Sequence, residues 1–276
     1  MSQAGLYVVA TPIGNLEDIS YRAVRILTEV DLIAAEDTRH SRTLLAHYDI
    51  TTRMQALHEH NESQVVNRIL ERIVSGQAIA LISDAGTPLI SDPGFHLVRA
   101  AREAGLPVFT VPGPCAVTAA LSVAGLPPDR FVFEGFLPSK SAARKKRLQV
   151  LCHEPRTLVL FESSHRIEAT IADMTEVFGD HRLVAVCREL TKKFETVLRF
   201  PLAELQKELA QDTNQSRGEF VIVVDGEEAS EDESLSKAQQ MALALMEFMP
   251  ASQAARVAAQ LNNVSRRQIY QLLKEL

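Results

Sequence analysis

Three kinds of segment in this 276-residue chain carry residue types that do chemistry. Glu36-Asp37-Thr38-Arg39 gathers two carboxylates and a guanidinium directly after an apolar run, Leu32 to Ala35. Such a group suits proton abstraction from a weak nucleophile, or stabilisation of developing oxyanion charge. Glu189 and Lys192 form a second candidate set. A lysine can serve as a base where burial or a neighbouring cation lowers its pKa. A plainer alternative stands beside the first set: Asp37 or Thr38 caps the following helix, and Arg39 pairs with a carboxylate. Glu195 reads as a solvated strand residue.

The second kind of segment is a breaker-rich loop at a strand end. Ala78 to Ile82 reads as a buried strand stopping at Ser83-Asp84, and the loop from there to Gly94 is rich in Gly, Pro, Ser and Asp. Asp92 and Pro93 fit the cap and first turn of the helix beyond it. Thr11-Pro12-Ile13-Gly14-Asn15 and Val111-Pro112-Gly113-Pro114-Cys115-Ala116 are similar turns after other strands. Open α/β sheets bind ligands at such strand ends. The scarcity of fixed charge suits an adenosyl or amino-acid-bearing ligand held by backbone groups. There is no G-x-G-x-x-G after the first strand, no Walker A loop, no nucleophile elbow and no H-E-x-x-H.

The third kind is basic. Lys140, Arg144, Lys145, Lys146 and Arg147 offer phosphate contacts, with Arg39, Arg42, Arg166, Lys192 and Lys193 as extensions. A solvated helix face is the plainer account of such a run. With no Trp in the chain, recognition by shape and phosphates is expected over base stacking.

Alternating strands and helices must position these groups. The pattern predicts strands at Leu6–Ala10, Leu32–Ala35, Met54–Leu57, Ala78–Ile82 and Val108–Val111. Helices fall between them, one from about Glu62 to Ser75 with Asn61 and Gln64 spaced as a capping box. This order predicts a parallel sheet with helices on both faces. A second α/β half follows, with strands beginning at Phe131 and at Thr157–Phe161, Leu183–Cys187, Thr196–Phe200 and Phe220–Val224. The expected architecture is two α/β domains, 1–113 and 114–226, with a ligand cleft between them. An acidic linker, 227–236, then leads to a helical tail, 237–276, which resembles a helix-turn-helix. A helix pair that docks or dimerises is the alternative for the tail.

Composition bounds the rest. The acids Asp225, Glu227, Glu228, Glu231, Asp232 and Glu233 account for the whole formal net charge of −6, so the total does not exclude RNA. Three dispersed cysteines and no export signal point to reduced thiols in the cytoplasm, and no Cys or His spacing suggests a metal site. No apolar run approaches the ~18 residues of a membrane span.

Seven short motifs in sequence order then carry a resemblance. They are Thr11-Pro12-Ile13-Gly14-Asn15-Leu16, Ala35-Glu36-Asp37-Thr38-Arg39, Ser83-Asp84-Ala85-Gly86-Thr87-Pro88, Val111-Pro112-Gly113-Pro114, Glu162-Ser163-Ser164-His165-Arg166, Arg188-Glu189-Leu190-Thr191-Lys192 and Arg217-Gly218-Glu219. Together they resemble the tetrapyrrole methylase superfamily. Within it, they are most similar to the enzymes that 2′-O-methylate a decoding-centre cytidine of small-subunit ribosomal RNA. The resemblance implies S-adenosylmethionine as cofactor, small-subunit ribosomal RNA as partner, and a homodimer. By position, Gly86, Thr87, Leu89 and Ile90 match the family's cofactor loop. The tetrapyrrole enzymes write Gly-Asp-Pro where this chain has Gly86-Thr87-Pro88, which leaves Asp84 to compensate for the missing carboxylate. Cys115 and Ala116 match positions near the methionine part, although a small core residue is the commoner role for a free Cys. Pro12 belongs to the loop lining the acceptor side, and Phe161 and Arg188 to strand ends that frame the adenine. Glu36, Asp37, Arg39 and Lys192 are then the catalytic candidates. Two rival functions remain: a methylase of a tetrapyrrole or other small acceptor, and a non-catalytic nucleic-acid-binding module.

Overall fold

The computed structural model of the chain describes residues 2–58, 62–211, 217–227, 231–262 and 264–274. Two compact units are present, Met1–Gln149 with Thr157–Asp225, and Val150–Arg156 with Gly226–Leu276.

The larger unit holds two sheets. In the first, β1 (Gly5–Val9), β2 (Leu32–Ala35), β3 (Met54–Ala56), β4 (Ala78–Ile82) and β5 (Val108–Val111) are all parallel, in the order β3-β2-β4-β1-β5. β2 and β4 are buried along their whole length, which is why they read as unbroken apolar runs. Successive residues of β4 serve opposite faces. Ala78, Ala80 and Ile82 pack with α1 (Tyr21–Glu29) and α2 (Thr38–His47). Ile79 and Leu81 pack with α3 (Glu62–Val74) and α4 (Phe95–Glu103). Helices therefore cover both faces, as the alternating pattern predicted. Truncating Leu81 to Ala would cost on the order of 2–5 kcal/mol.

The start of α4 differs from expectation. Leu89 and Ser91 take left-handed φ values of 74° and 69°, which carry the loop two residues further, and Gly94 rather than Asp92 is the N-cap. Gly94 has φ 115°, and a Cβ there would stand 2.7 Å from Cδ2 of Leu81, so both dihedral and space require glycine. Asp92 is released for another role. The capping box read at Asn61 and Gln64 involves residues outside those described.

The second sheet is mixed. β6 (Phe131–Phe136), β7 (Thr157–Ser163), β8 (Leu183–Arg188), β9 (Thr196–Pro201) and β10 (Glu219–Val224) lie in the order β6-β7-β10-β8-β9. Only β6 and β7 pair in parallel. The last strand in sequence enters between β7 and β8, so the start of β10 stands in the middle of the sheet. α5 (Ala116–Val123) covers one face, with Val117, Ala120 and Leu121 against Val159, Ala185, Val221 and Val223. α6 (Ser141–Leu151), α7 (Ile167–Phe178) and α8 (Leu202–Gln211) complete this half.

The smaller unit contains α9 (Glu231–Leu245), α10 (Ala251–Asn262) and α11 (Arg266–Lys274), packed around Ala238, Ala242, Ala255, Ala258, Ala259 and Ile269. Helix α9 starts six residues before the expected Lys237, because Glu231 to Ser236 contains no glycine or proline to interrupt it. Part of the expected linker, residues 228–230, lies outside the described residues. Among the described residues, no helix is long and apolar enough to cross a membrane.

Candidate active site

Because the first sheet is parallel, the loops after β1, β2, β4 and β5 all emerge at one edge. β1 and β4 are neighbours, so their loops meet. Thr11 N–H donates to the Gly86 carbonyl at 2.9 Å and Gly86 N–H to the Thr11 carbonyl at 3.1 Å. The buried Thr11 hydroxyl donates to the Ser83 carbonyl at 3.3 Å. The Thr87 hydroxyl donates to the Pro114 carbonyl at 3.0 Å, which ties in the loop after β5. Gly86 has φ 80°, and a Cβ on it would stand 3.1 Å from Cγ2 of Ile13. Uncharged backbone and hydroxyl hydrogen bonds tie these three loops together.

A cavity of about 450 Å³ opens beside these loops, within the size range of small-molecule sites. Gly86, Thr87, Ile90 and Asp92 line it from the first sheet, with Cys115 and Ala116 at the start of α5. The second sheet contributes Phe136, Phe161, Glu162 to Ser164, Lys192 and Gly218 to Val221. Phe161 meets the rings of Phe133 and Phe136 edge-on, with centroids 4.9 and 5.7 Å away. The fully buried Glu162 carboxylate accepts from the Thr170 hydroxyl at 2.7 Å and the Ser163 N–H at 2.8 Å, and pairs with Arg166 at 3.2 Å. Those bonds fix the Ser163-Ser164 segment against the cavity.

Two charged groups on the wall have contrasting environments. Burial pushes the Asp92 carboxyl up to about 6; a hydrogen bond with Ser83 opposes the shift, and the nearby Glu36 and Asp84 carboxylates add to it. Lys192 donates from Nζ to Glu189 and to Glu219, both at 2.8 Å. Burial works against its charge, yet these two carboxylates hold its pKa above the ordinary lysine value. It is therefore a cation, not the proton acceptor for which lysine was considered. Gly14 makes room for it: a Cβ there would stand 2.5 Å from Cγ of Lys192. Burial also pushes the Cys187 thiol in the cavity wall up to about 12, with the Glu195 charge adding to the shift. Glu195 is exposed, as expected, but stands one residue before β9 and accepts the Thr191 N–H.

Of the residues expected at the cofactor, Gly86, Thr87, Ile90, Cys115, Ala116 and Phe161 line the cavity, and Pro12, Asp84, Leu89 and Arg188 do not. Pro12 is buried, and Leu89 packs into the first-sheet core because its left-handed φ turns it away. Asp84 accepts the Asp37 N–H at 3.1 Å and donates its own N–H to Glu36 at 3.3 Å, which braces the ends of β2 and β4. Arg188 donates to the carbonyls of Arg217 at 2.6 Å and Phe194 at 3.2 Å. Glu36, Asp37 and Arg39 stand off the wall too. Asp37 caps α2 through the Arg39 N–H at 2.8 Å and grips the Arg39 guanidinium at 2.7 Å, which holds its carboxyl well below the usual carboxylate range. The capping alternative describes these two residues.

The basic cluster is largely neutralised. Arg144 is buried, donates to Asp173 at 2.6 Å, and cannot reach a phosphate. Lys145 pairs with Glu176 and Asp173, and Arg147 takes Glu134 with contacts at 3.0 and 2.9 Å. Arg166 donates to the Leu137 carbonyl at 2.7 Å as well as pairing with Glu162. Lys140 and Lys146 are exposed and form no ion pair among the described residues. Sequence reasoning missed Ser91, Asp92, Phe136 and the start of β10 as cavity residues. The Arg217-Gly218-Glu219 motif was the available signal for the last of these.

Comparisons with known proteins agree with this geometry. A family model described as Tetrapyrrole (Corrin/Porphyrin) Methylases matches residues 5–206, and one described as RsmI C-terminal HTH domain matches residues 232–276. The chain is similar to two curated proteins, each named Ribosomal RNA small subunit methyltransferase I. That of Xylella fastidiosa is 54% identical over 271 residues, covering 98% of this chain and 99% of the other. That of Pseudomonas aeruginosa is 53% identical over 273 residues, covering 98% and 97%. Among solved structures, uroporphyrin-III C-methyl transferase from Thermus thermophilus complexed with S-adenyl homocysteine has a TM-score of 0.56 at 17% identity, covering 80% of this chain and 97% of that one. At that identity the likeness is one of fold.

Proposed function

This chain belongs to the tetrapyrrole methylase family, and from that premise we propose that it 2′-O-methylates a cytidine ribose of small-subunit (16S) ribosomal RNA at the decoding centre. It is a methyltransferase that uses S-adenosylmethionine. The observation that carries the reading is the cavity: an apolar, partly aromatic wall facing hydrogen-bonded loops, with Asp92 on the first-sheet side and Glu162, Glu219 and Lys192 on the other.

The lining fits the cofactor by its chemistry. Phe161 and Phe136 offer aromatic surface to an adenine, and the loop of Gly86 and Thr87 offers backbone groups. The first turn of α5, at Cys115 and Ala116, has N–H groups without intrahelical acceptors and no side-chain cap from Cys115, which suits a carboxylate. When bound, S-adenosylmethionine supplies an electrophilic methyl group. The chain's own residues do the rest. Asp92 has a pKa of about 6, so near neutral pH it is ionised yet close enough to that pH to accept the 2′-hydroxyl proton. Lys192 is held cationic by Glu189 and Glu219 and offsets negative charge developing on the acceptor oxygen. Thr11, Gly86 and Thr87 keep the loops rigid, and positioning of the two reactants supplies much of the rate. The division into halves 1–113 and 114–226, a homodimer and a cytoplasmic location belong to the same proposal.

Tritiated methyl transfer to small subunits from cells lacking the protein tests it. Label confined to one alkali-resistant dinucleotide is the expected result. Absence of label, with cofactor binding intact and a porphyrinoid acceptor methylated, would overturn the ribosomal assignment.

A further inference from the structure

The smaller unit holds a surface that the cavity chemistry does not use. Between Ala251 and Lys274 the sequence has no aspartate or glutamate and four cations, Arg256, Arg266, Arg267 and Lys274. All four are exposed, and none forms an ion pair among the described residues. This is the reverse of α6, where carboxylates of α7 and β6 take up most of the cations. Exposed cations on one helical pair, with no carboxylate in the same stretch of sequence, repel each other, so a polyanion is the ligand that complements them.

The turn between α10 and α11 sets which residues face out. Val264 N–H donates to the Ala259 carbonyl at 3.0 Å, and Ile269 N–H to the Ser265 carbonyl at 3.2 Å. Ile269 is fully buried against the alanines of α9 and α10. The helical period then places Arg267, Gln271 and Lys274 on one stripe opposite Ile269 and Leu273, with Gln268 beside it. The Lys274 ammonium lies over the face of the Tyr270 ring, 4.8 Å from its centroid, a cation–π contact that leaves the charge without a carboxylate partner among the described residues. Among the described residues, the exposed large apolar side chains of this unit are Val150, Met241, Leu243, Met246, Phe248 and Leu261, and none is on α11. An apolar protein partner would therefore choose another surface. Arginine and lysine for phosphates, with glutamine amides between them, form a set suited to a ribose-phosphate backbone.

We propose that α11 is a second RNA contact, in which Arg267, Gln271 and Lys274 bind the ribose-phosphate backbone of the substrate RNA. The identity of that RNA rests on the function proposed above; the contact itself does not. The test is binding of the full chain to small-subunit RNA as a function of salt, for wild type, R267E/K274E and R267K/K274R. The charge-reversed variant is expected to bind at least about tenfold more weakly near physiological salt. Its log–log salt slope should be shallower by about 1–2, the loss of one or two phosphate contacts. The charge-conserving variant is expected to stay within about threefold of wild type, and helix content of both should be unchanged because Ile269 is untouched. Equal affinity and slope for R267E/K274E would overturn the proposal. So would a variant that changes only its sedimentation, which would make α11 a helix-docking face. A wild-type chain whose RNA binding depends on this stripe, yet which methylates no ribosomal RNA, would support the contact and sink the cavity's assignment instead.

Discussion

On the first-sheet wall of the cavity, loops are held by backbone hydrogen bonds between Thr11 and Gly86 and by the Thr87 hydroxyl on Pro114. On the second-sheet wall, ionised side chains hold each other: Lys192 with Glu189 and Glu219, and Glu162 with Arg166. The difference decides which groups can change protonation near neutral pH. Lys192 keeps its charge on the second wall, since the carboxylates beside it hold its pKa above the ordinary lysine value, and Lys192 in turn helps lower that of Glu189. Asp92 faces Ser83 and two other carboxylates, Glu36 and Asp84, and no cation contributes to its shift. A wall shaped by backbone can thus leave one carboxyl with unusual proton affinity, while a wall shaped by ion pairs supplies fixed charge and rigidity.

The sharpest way to break this contrast is Asp92→Asn. Loss of a general base typically costs about 10²- to 10⁴-fold in rate, and single-turnover methyl transfer is expected to fall within that range with cofactor affinity kept within a few-fold. Stability moves the other way. The folded pKa of about 6 lies above the unassisted 3.8, so between these values the folded chain binds more protons and stability falls as pH rises. Asp92→Asn should remove that fall, seen as a smaller loss of Tm between pH 4 and pH 7 than in wild type.

Gly86→Val comes next. A β-branched residue at φ 80° is strained by roughly 1–3 kcal/mol, and its side chain enters the space of Ile13. Calorimetric titration is expected to show cofactor affinity about 5- to 150-fold weaker. The smallest effect is expected outside the cavity. Arg147→Ala removes a cation whose charge Glu134 already offsets. Affinity for small-subunit RNA should change less than about twofold, in line with the modest worth of exposed pairs.

Much of the framework was legible in the sequence, because parallel central strands and amphipathic helices leave strong periodic signals. The Gly86-Thr87 loop was legible too, since its chemistry is local. What escaped depended on contacts between distant segments. Asp92 precedes Pro93 and so looked like a cap; only the left-handed turns at Leu89 and Ser91 move the cap to Gly94. Gly218 to Val221 reach the cavity because β10 inserts between β7 and β8, and strand order leaves no mark on periodicity. The basic run on α6 misled for the same reason: Asp173 and Glu176 lie 29 and 31 residues from the cations they neutralise.

The pH dependence of single-turnover methyl transfer, measured in wild type and Asp92→Asn with saturating cofactor and small subunits, tests the central claim most directly. A wild-type rate that rises about tenfold per pH unit below 6 and levels above it, with that rise absent in the variant, is the result expected if Asp92 takes the proton. A wild-type rate without that inflection, or a variant with the same profile and rate as wild type, would contradict the assignment of Asp92 as the group that activates the acceptor.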